Sequence, residues 1–218
     1  MVRRLALIAA LAAVVLGASS AAGEEPPLAV KQPTGYRDYC GQTRTCPRGG
    51  VPAGLWRPLR LPTLGPSVPC PVSAGHDHPP WTRALGSGRI YVTFGNHDRL
   101  EFRDPPYPFF AGTGWNGAKA GWISAKAYRG PVVIRGARID APGELAFYGH
   151  TKSRRPVAAL QFAPQAMKPN GSGTQGGYRW WGGYVALKAA GCYAVQIDGS
   201  SFSTILVFRA DRVNAASR

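Results

Sequence analysis

From residue 81 onward the hydrophobic positions recur with a period of about two, and no stretch repeats with a period of about 3.6 residues as an amphipathic helix would. Arg99-Leu100-Glu101-Phe102-Arg103 alternates strictly and predicts a strand with one dry face. Arg89-Ile90-Tyr91-Val92-Thr93-Phe94 is β-branched and aromatic, and Gly95-Asn96 turns the chain after it. Further strands are predicted around Trp122 and Ile123 between Lys119 and Lys126, and over Pro131–Gly136, Glu144–Tyr148 and Ala158–Phe162. Tyr178–Leu187 is an aromatic strand, and Cys192–Arg209 a closing hairpin turned at Gly199-Ser200-Ser201. Pro169–Gly173 reads as a loop, and Ala210 to Arg218 as a polar end that frays. Short strands separated by Gly and Pro turns predict an all-β fold, a sandwich or barrel. A Cys near the domain start, a Cys opening the penultimate strand and a buried Trp between them resemble the arrangement of an immunoglobulin-like β-sandwich, the fold expected.

The stretch 23–80 breaks this pattern. Prolines at 26, 27, 33, 47, 52, 58, 62, 66, 69, 71, 79 and 80 leave neither strand nor helix periodicity, so an irregular segment is expected before a domain at 81–210, with order beginning near Gly88 and a frayed tail at 211–218. Leu55-Trp56 and Leu59-Arg60-Leu61 within it are placed to dock apolar side chains on the domain.

Residues 1–22 have the form of a Sec-type signal peptide. Arg3-Arg4 supplies the positive start, Leu5 to Leu16 the apolar run, and small residues follow as cleavage motifs. That run is too short to span a membrane, and no second long apolar run follows. The expected location is therefore secreted, extracellular or at the cell envelope, where disulfides form. The four cysteines, Cys40, Cys46, Cys70 and Cys192, allow three pairings. Cys40–Cys46 closes a small, sterically easy loop, and Cys70–Cys192 ties the start of the domain to its last hairpin; this is the preferred pairing.

Lys+Arg 26 against Asp+Glu 11 gives a net charge of +15, which favours anionic surroundings, although arginines scattered singly are first of all a solvated surface. The expected partner is an anionic envelope polymer or another extracellular protein, and nucleic acid is not expected. The sequence says nothing of oligomeric state.

No catalytic set stands out and no cofactor is expected. His76-Asp77-His78 is a weak candidate for metal ligation and would need a third ligand such as His97 or His150; a polar loop before Pro79-Pro80 is the preferred reading. Neither a G-x-S-x-G elbow nor an HExxH motif occurs. Glu101, Asp104, Asp140 and Glu144 are the carboxylates read as lying outside turns in the ordered half, and nothing in the sequence pairs them across a cleft for acid–base work. Trp180, Trp181, Tyr178 and Arg179 are the candidate ligand contacts: adjacent tryptophans in a strand point to opposite faces, so one of them is expected outside the core.

Cys70-Pro71-Val72, Trp115-Asn116-Gly117-Ala118-Lys119, Tyr128–Gly136 with Ile139-Asp140, and Gly191-Cys192-Tyr193 together resemble a group of uncharacterised secreted bacterial proteins. These share a CPV start, a W-x-G-K step, a GPV-x-IRG strand pair and a closing GC-aromatic hairpin. The resemblance spans roughly residues 70–209. It implies an exported β-sandwich with a Cys70–Cys192 link, and it supplies no activity or ligand. The functional expectation is a secreted non-catalytic β-sandwich that binds an envelope or extracellular partner, with a polysaccharide-binding module and a metal-dependent hydrolase as the alternatives. One detail resists a simple sandwich. Tyr193, Val195 and Ile197 form the apolar side of their strand, which puts Cys192 on the opposite side with Ala194 and Gln196. Either a bend follows Cys192, or the bond runs along the sandwich edge.

Overall fold

In a computed structural model of the chain, residues 51–214 are described apart from 52, 79–80, 96–97, 150–155 and 163–171. The signal peptide, the Cys40–Cys46 pair, His97 and His150 lie outside the described residues. A short 3-10 turn at Ala53–Leu55 precedes twelve strands: β1 Gly75–His78, β2 Trp81–Leu85, β3 Ile90–Thr93, β4 Leu100–Asp104, β5 Asn116–Ser124, β6 Val132–Arg138, β7 Leu145–Gly149, β8 Ala159–Phe162, β9 Ser172–Gln175, β10 Tyr178–Leu187, β11 Gly191–Gly199 and β12 Phe202–Asn214. A seven-stranded sheet runs β1-β2-β3-β5-β10-β7, with β9 beside β7 on the same edge of β10; a five-stranded sheet runs β4-β12-β11-β6-β8. The two pack face to face as an immunoglobulin-like β-sandwich.

Alternation builds the core. Along β4, Leu100 and Phe102 turn inward, and β11 contributes Tyr193, Val195 and Ile197. They meet Val92, Trp122, Phe147, Trp181 and Val185 from the other sheet. Burial pushes the Tyr193 phenol up to about 12 despite the nearby Arg138 cation. Two glycines of the quoted motifs sit where strands come too close for a side chain. A Cβ on Gly117, whose φ is +152°, would lie 2.0 Å from the Val185 carbonyl, and one on Gly136 would lie 2.4 Å from that of Ala194.

Several boundaries differ from the sequence reading. Order does not begin near Gly88, because β1 and β2 precede it. β2 alternates weakly, yet Ala84 and Leu85 are buried and Leu85 pairs with Val92. Ser172 and Gly173 belong to β9 rather than to a loop, since β10 extends far enough to pair with them. β12 does not fray at Ala210 but continues to Asn214 in a parallel pairing with β4.

The Pro-rich segment is the largest departure from a plain sandwich. From Val51 to Ala74 it forms a strap over the outer face of the five-stranded sheet. Val51, Leu55 and Trp56 pack on Val133 and Ala159; Leu61, Leu64 and Cys70 pack on Ile139, Cys192, Ala194 and Val207. Cys192 therefore points outward from β11, into the strap, and no bend is needed to explain its side. The Cys70–Cys192 disulfide, with a Cα–Cα distance of 5.5 Å, fastens the strap to one sheet. It does not join the two sheets, and the buried Trp122 packs in a different cluster from it.

Polar groups hold the rest of the strap. The Leu64 N–H donates to the Ile139 carbonyl at 2.7 Å and the Ser73 N–H to that of Val207 at 2.9 Å. The Gln196 side chain accepts from the Arg60 N–H at 2.7 Å and donates to the Pro58 carbonyl at 3.0 Å. Asp198 is fully buried and receives Arg135 Nη2 at 2.7 Å, Ser203 Oγ at 2.7 Å and Gln196 Nε2 at 3.0 Å. Arg57 lies 3.5 Å from the same carboxylate and also donates to the Gly199 and Phe202 carbonyls. A strand whose second face carries Gln and Asp can be buried on both sides because the strap brings partners to Gln196 and the sheet itself, with Arg57 of the strap, supplies those of Asp198.

Candidate binding face

The outer face of the seven-stranded sheet is built from directly opposed residues on β3, β5 and β10, which share a side of the sheet. Tyr91, Ile123 and Trp180 form one row; Thr93, Gly121 and Gly182 form the next; Lys119 and Tyr184 follow, with Tyr148 of β7 beside Tyr184. The Gly121–Gly182 pair leaves the middle row with the Thr93 side chain alone, its methyl beside Gly121, between two rows that carry rings. The result is a trough of about 420 Å³ lined by Trp180, Tyr107, Thr93, Glu101 and Lys119 over Gly121 and Gly182. Its size falls within the ~300–1,000 Å³ common for ligand sites.

The β4–β5 loop closes one end of this face. It folds through turns in which the Phe110 N–H donates to the Tyr107 carbonyl and the Thr113 N–H to that of Phe110. Phe109 stacks on Tyr184 at 4.1 Å and meets Tyr148 edge-on at 5.2 Å. The Arg103 guanidinium lies 4.0 Å from the Tyr107 ring centre, a cation–π contact that holds this ring beside the trough.

The four aromatic and cationic residues singled out from the sequence divide between two sides of β10. Trp180 is half-buried in the trough and Tyr178 half-buried on the same face, with the Lys126 ammonium 4.9 Å from its ring centre. Trp181 points into the core, 4% exposed, and stacks on Phe162 at 4.4 Å. Arg179 is also inward, 2% exposed, and donates to the carbonyls of Arg129 at 3.1 Å and Gly130 at 3.0 Å. Burial lowers its pKa, with the neighbouring Arg129 charge acting in the same direction.

His76 and His78 lie on β1 at the edge of this sheet, and the Asp77 carboxylate between them accepts from the Arg83 N–H at 3.4 Å. Among the described residues no three His, Cys, Asp or Glu side chains gather closely enough to hold a metal ion. The carboxylates considered for acid–base work are dispersed in ion pairs: Glu101 with Arg99, Asp104 with Arg212, Asp140 with Arg138 and Glu144 with Lys188. At Asp140, burial works to raise the pKa, but hydrogen bonds from Arg138 and the Cys192 N–H outweigh it and hold the carboxyl below its usual range.

Sequence reasoning missed Lys119, Tyr107, Glu101 and Tyr91 as members of this face. A signal for two of its features was present. Ala118, Ala120 and Trp122 alternate with Lys119, Gly121 and Ile123, which assigns a side to each, and Gly182 lies two residues after Trp180 on that same side. What the sequence does not state is the β5–β10 register that sets Gly121 opposite Gly182.

A second depression, of about 630 Å³, lies on the far side of the molecule between the strap and β12, lined by Arg57, Pro58, Arg60, Gln196, Ser203, Thr204 and Ile205.

The architecture defines the class of protein: a strapped, disulfide-bonded β-sandwich. No protein-family profile matches the chain, and no curated protein does. Among solved structures it is similar to the CooA pilin subunit from enterotoxigenic Escherichia coli, with a TM-score of 0.34 and 6% identity over 58% of this chain and 99% of that one. No residue or role is carried over from so loose a likeness. No helix among the described residues is long and apolar enough to cross a membrane.

Proposed function

We propose that this chain is an exported, non-catalytic binding protein that holds an envelope or extracellular partner on the outer face of its seven-stranded sheet. The observation that carries the reading is the Gly121–Gly182 trough, open in the middle of a well-paired sheet and flanked by Trp180 and Tyr107. Trp180 and Tyr178 are the contact residues on that face, whereas Trp181 and Arg179 support it from within. A formed Cys70–Cys192 bond supports an oxidising compartment, as does the signal-like start of the sequence. The net charge of +15 supports an anionic partner surface.

Cosedimentation of the purified protein with isolated bacterial envelopes tests the reading. The native chain is expected to pellet with them, and Trp180→Ala to remain in solution with its melting temperature near that of the native protein. Equal pelleting of the two proteins would sink the proposal.

A further inference from the structure

Behind the trough, β10 is paired with β5 along one edge and with β7 and β9 along the other, and β5 is paired with β3 over Gly121–Ser124. The side chains that line the trough offer two rings, a hydroxyl, a carboxylate and an ammonium, from Trp180, Tyr107, Thr93, Glu101 and Lys119, beside Phe94, Ala118 and Ala120. The exposed large hydrophobic residues, Val68, Val72 and Ile205, belong to the strap and β12 on the opposite side of the molecule.

This set of groups matches a sugar ring. A pyranose presents a face of C–H bonds, weakly positive, which is attracted to the negative face of an aromatic ring. Its rim presents hydroxyls, which require donors and acceptors. The glycine floor lets a flat ring approach the sheet more closely than any row with side chains would. Charge narrows the class of sugar. Lys119 is exposed, Arg103 is held at the Tyr107 end, and the Glu101 charge is offset by Arg99 at 3.1 Å. The whole chain carries +15. We infer that the trough binds an acidic polysaccharide, with a sugar ring against Trp180 and a sugar carboxylate turned toward Lys119. This inference rests on the binding-face reading and gives it a ligand class.

Affinity electrophoresis of the full chain through gels containing polygalacturonate, carboxyl-reduced polygalacturonate or dextran tests it. The native protein is expected to be retarded by polygalacturonate alone, and less so as salt is raised. Trp180→Ala and Lys119→Glu are each expected to weaken the interaction by about tenfold or more. Lys119 is exposed, so its variant keeps the fold and decides the question even if Trp180→Ala proves unstable. Absence of retardation, equal retardation by the reduced polymer, or undiminished binding by Lys119→Glu would overturn the inference. Envelope binding that depends on Trp180 with no retardation in any gel would remove the polysaccharide and leave the binding face, pointing to a protein partner. Envelope binding indifferent to Trp180 would remove both.

Discussion

The two outer faces of this sandwich meet solvent on different terms. On the five-stranded sheet the strap from Val51 to Ala74 covers Cys192, Ala194, Gln196 and Asp198, and a disulfide, backbone hydrogen bonds and a buried carboxylate fix it there. On the seven-stranded sheet the β4–β5 loop is, among the described residues, the segment laid down over Tyr184 and Tyr148, and the Gly121–Gly182 row beside it lines the trough. The difference lies in what each face offers. Gln196 and Asp198 cannot be covered without partners: the strap brings the Arg60 N–H and the Pro58 carbonyl to Gln196 and Arg57 to Asp198, while Arg135 and Ser203 meet Asp198 from the sheet itself. Tyr91, Trp180 and Lys119 can remain half-buried or exposed at little cost, because rings and long side chains tolerate one wet side.

The largest effect is expected from removing the bond that holds the covered face. Cys70 and Cys192 are separated by 122 residues. In the chain-entropy account a loop of that order stabilises by about 5 kcal/mol. The double variant Cys70→Ala plus Cys192→Ala, which leaves no single thiol behind, should lose most of that in a denaturant titration. Trypsin should then cleave after Arg60 under native conditions. A loss below about 1 kcal/mol, with Arg60 still protected, would mean that the polar contacts hold the strap unaided.

Those contacts give the second-largest effect. Asp198→Ala removes the carboxylate that Arg135 and Arg57 share and leaves the two guanidiniums facing each other. Breaking a buried pair costs about 3–5 kcal/mol. Arg57 is 33% exposed and Arg135 16%, so water takes up part of the loss. About 3 kcal/mol is the expected destabilisation. It should shrink toward zero in the background of the cysteine double variant if both act through the strap, and a double-mutant cycle reads that coupling directly. Full additivity would show that Asp198 serves the β11–β12 hairpin and not the cover.

How much of this was legible in the sequence follows the same division. The strands of both sheets that alternate strictly, β4 and β10 above all, are visible because each has one dry and one wet side. β11 gave a misleading signal. Its second side reads as polar, with Gln196 and Asp198, yet both are buried, because a segment without periodicity of its own folds over them. Prolines hide the strap from any period-based reading, since a chain that docks by single side chains such as Leu61, Leu64 and Trp56 needs no repeat. The off-side position of Cys192 and the apolar Leu55-Trp56 and Leu59-Arg60-Leu61 were the traces of the cover. Of the open face, the sequence shows the tryptophan pair and hence that one ring lies outside the core. The trough depends on glycines opposed across two strands 61 residues apart at Gly121 and Gly182, and such a pairing is a property of register.

The smallest effect on stability, and the one that defines the open face, is expected at Lys119. Its side chain projects beside the trough, and surface substitutions away from special features stay within about 0.5 kcal/mol. Lys119→Glu should therefore leave the denaturation midpoint nearly unchanged while weakening the binding of a polyanion by about tenfold or more. Asp198→Ala should do the reverse, lowering the midpoint without affecting what the opposite face binds. A crossed pattern of this kind separates a face used for holding the fold together from a face left free for a ligand. If Lys119→Glu instead cost as much stability as Asp198→Ala, the lysine would be part of the packing on its own sheet, and the two faces would differ in degree of covering and not in purpose.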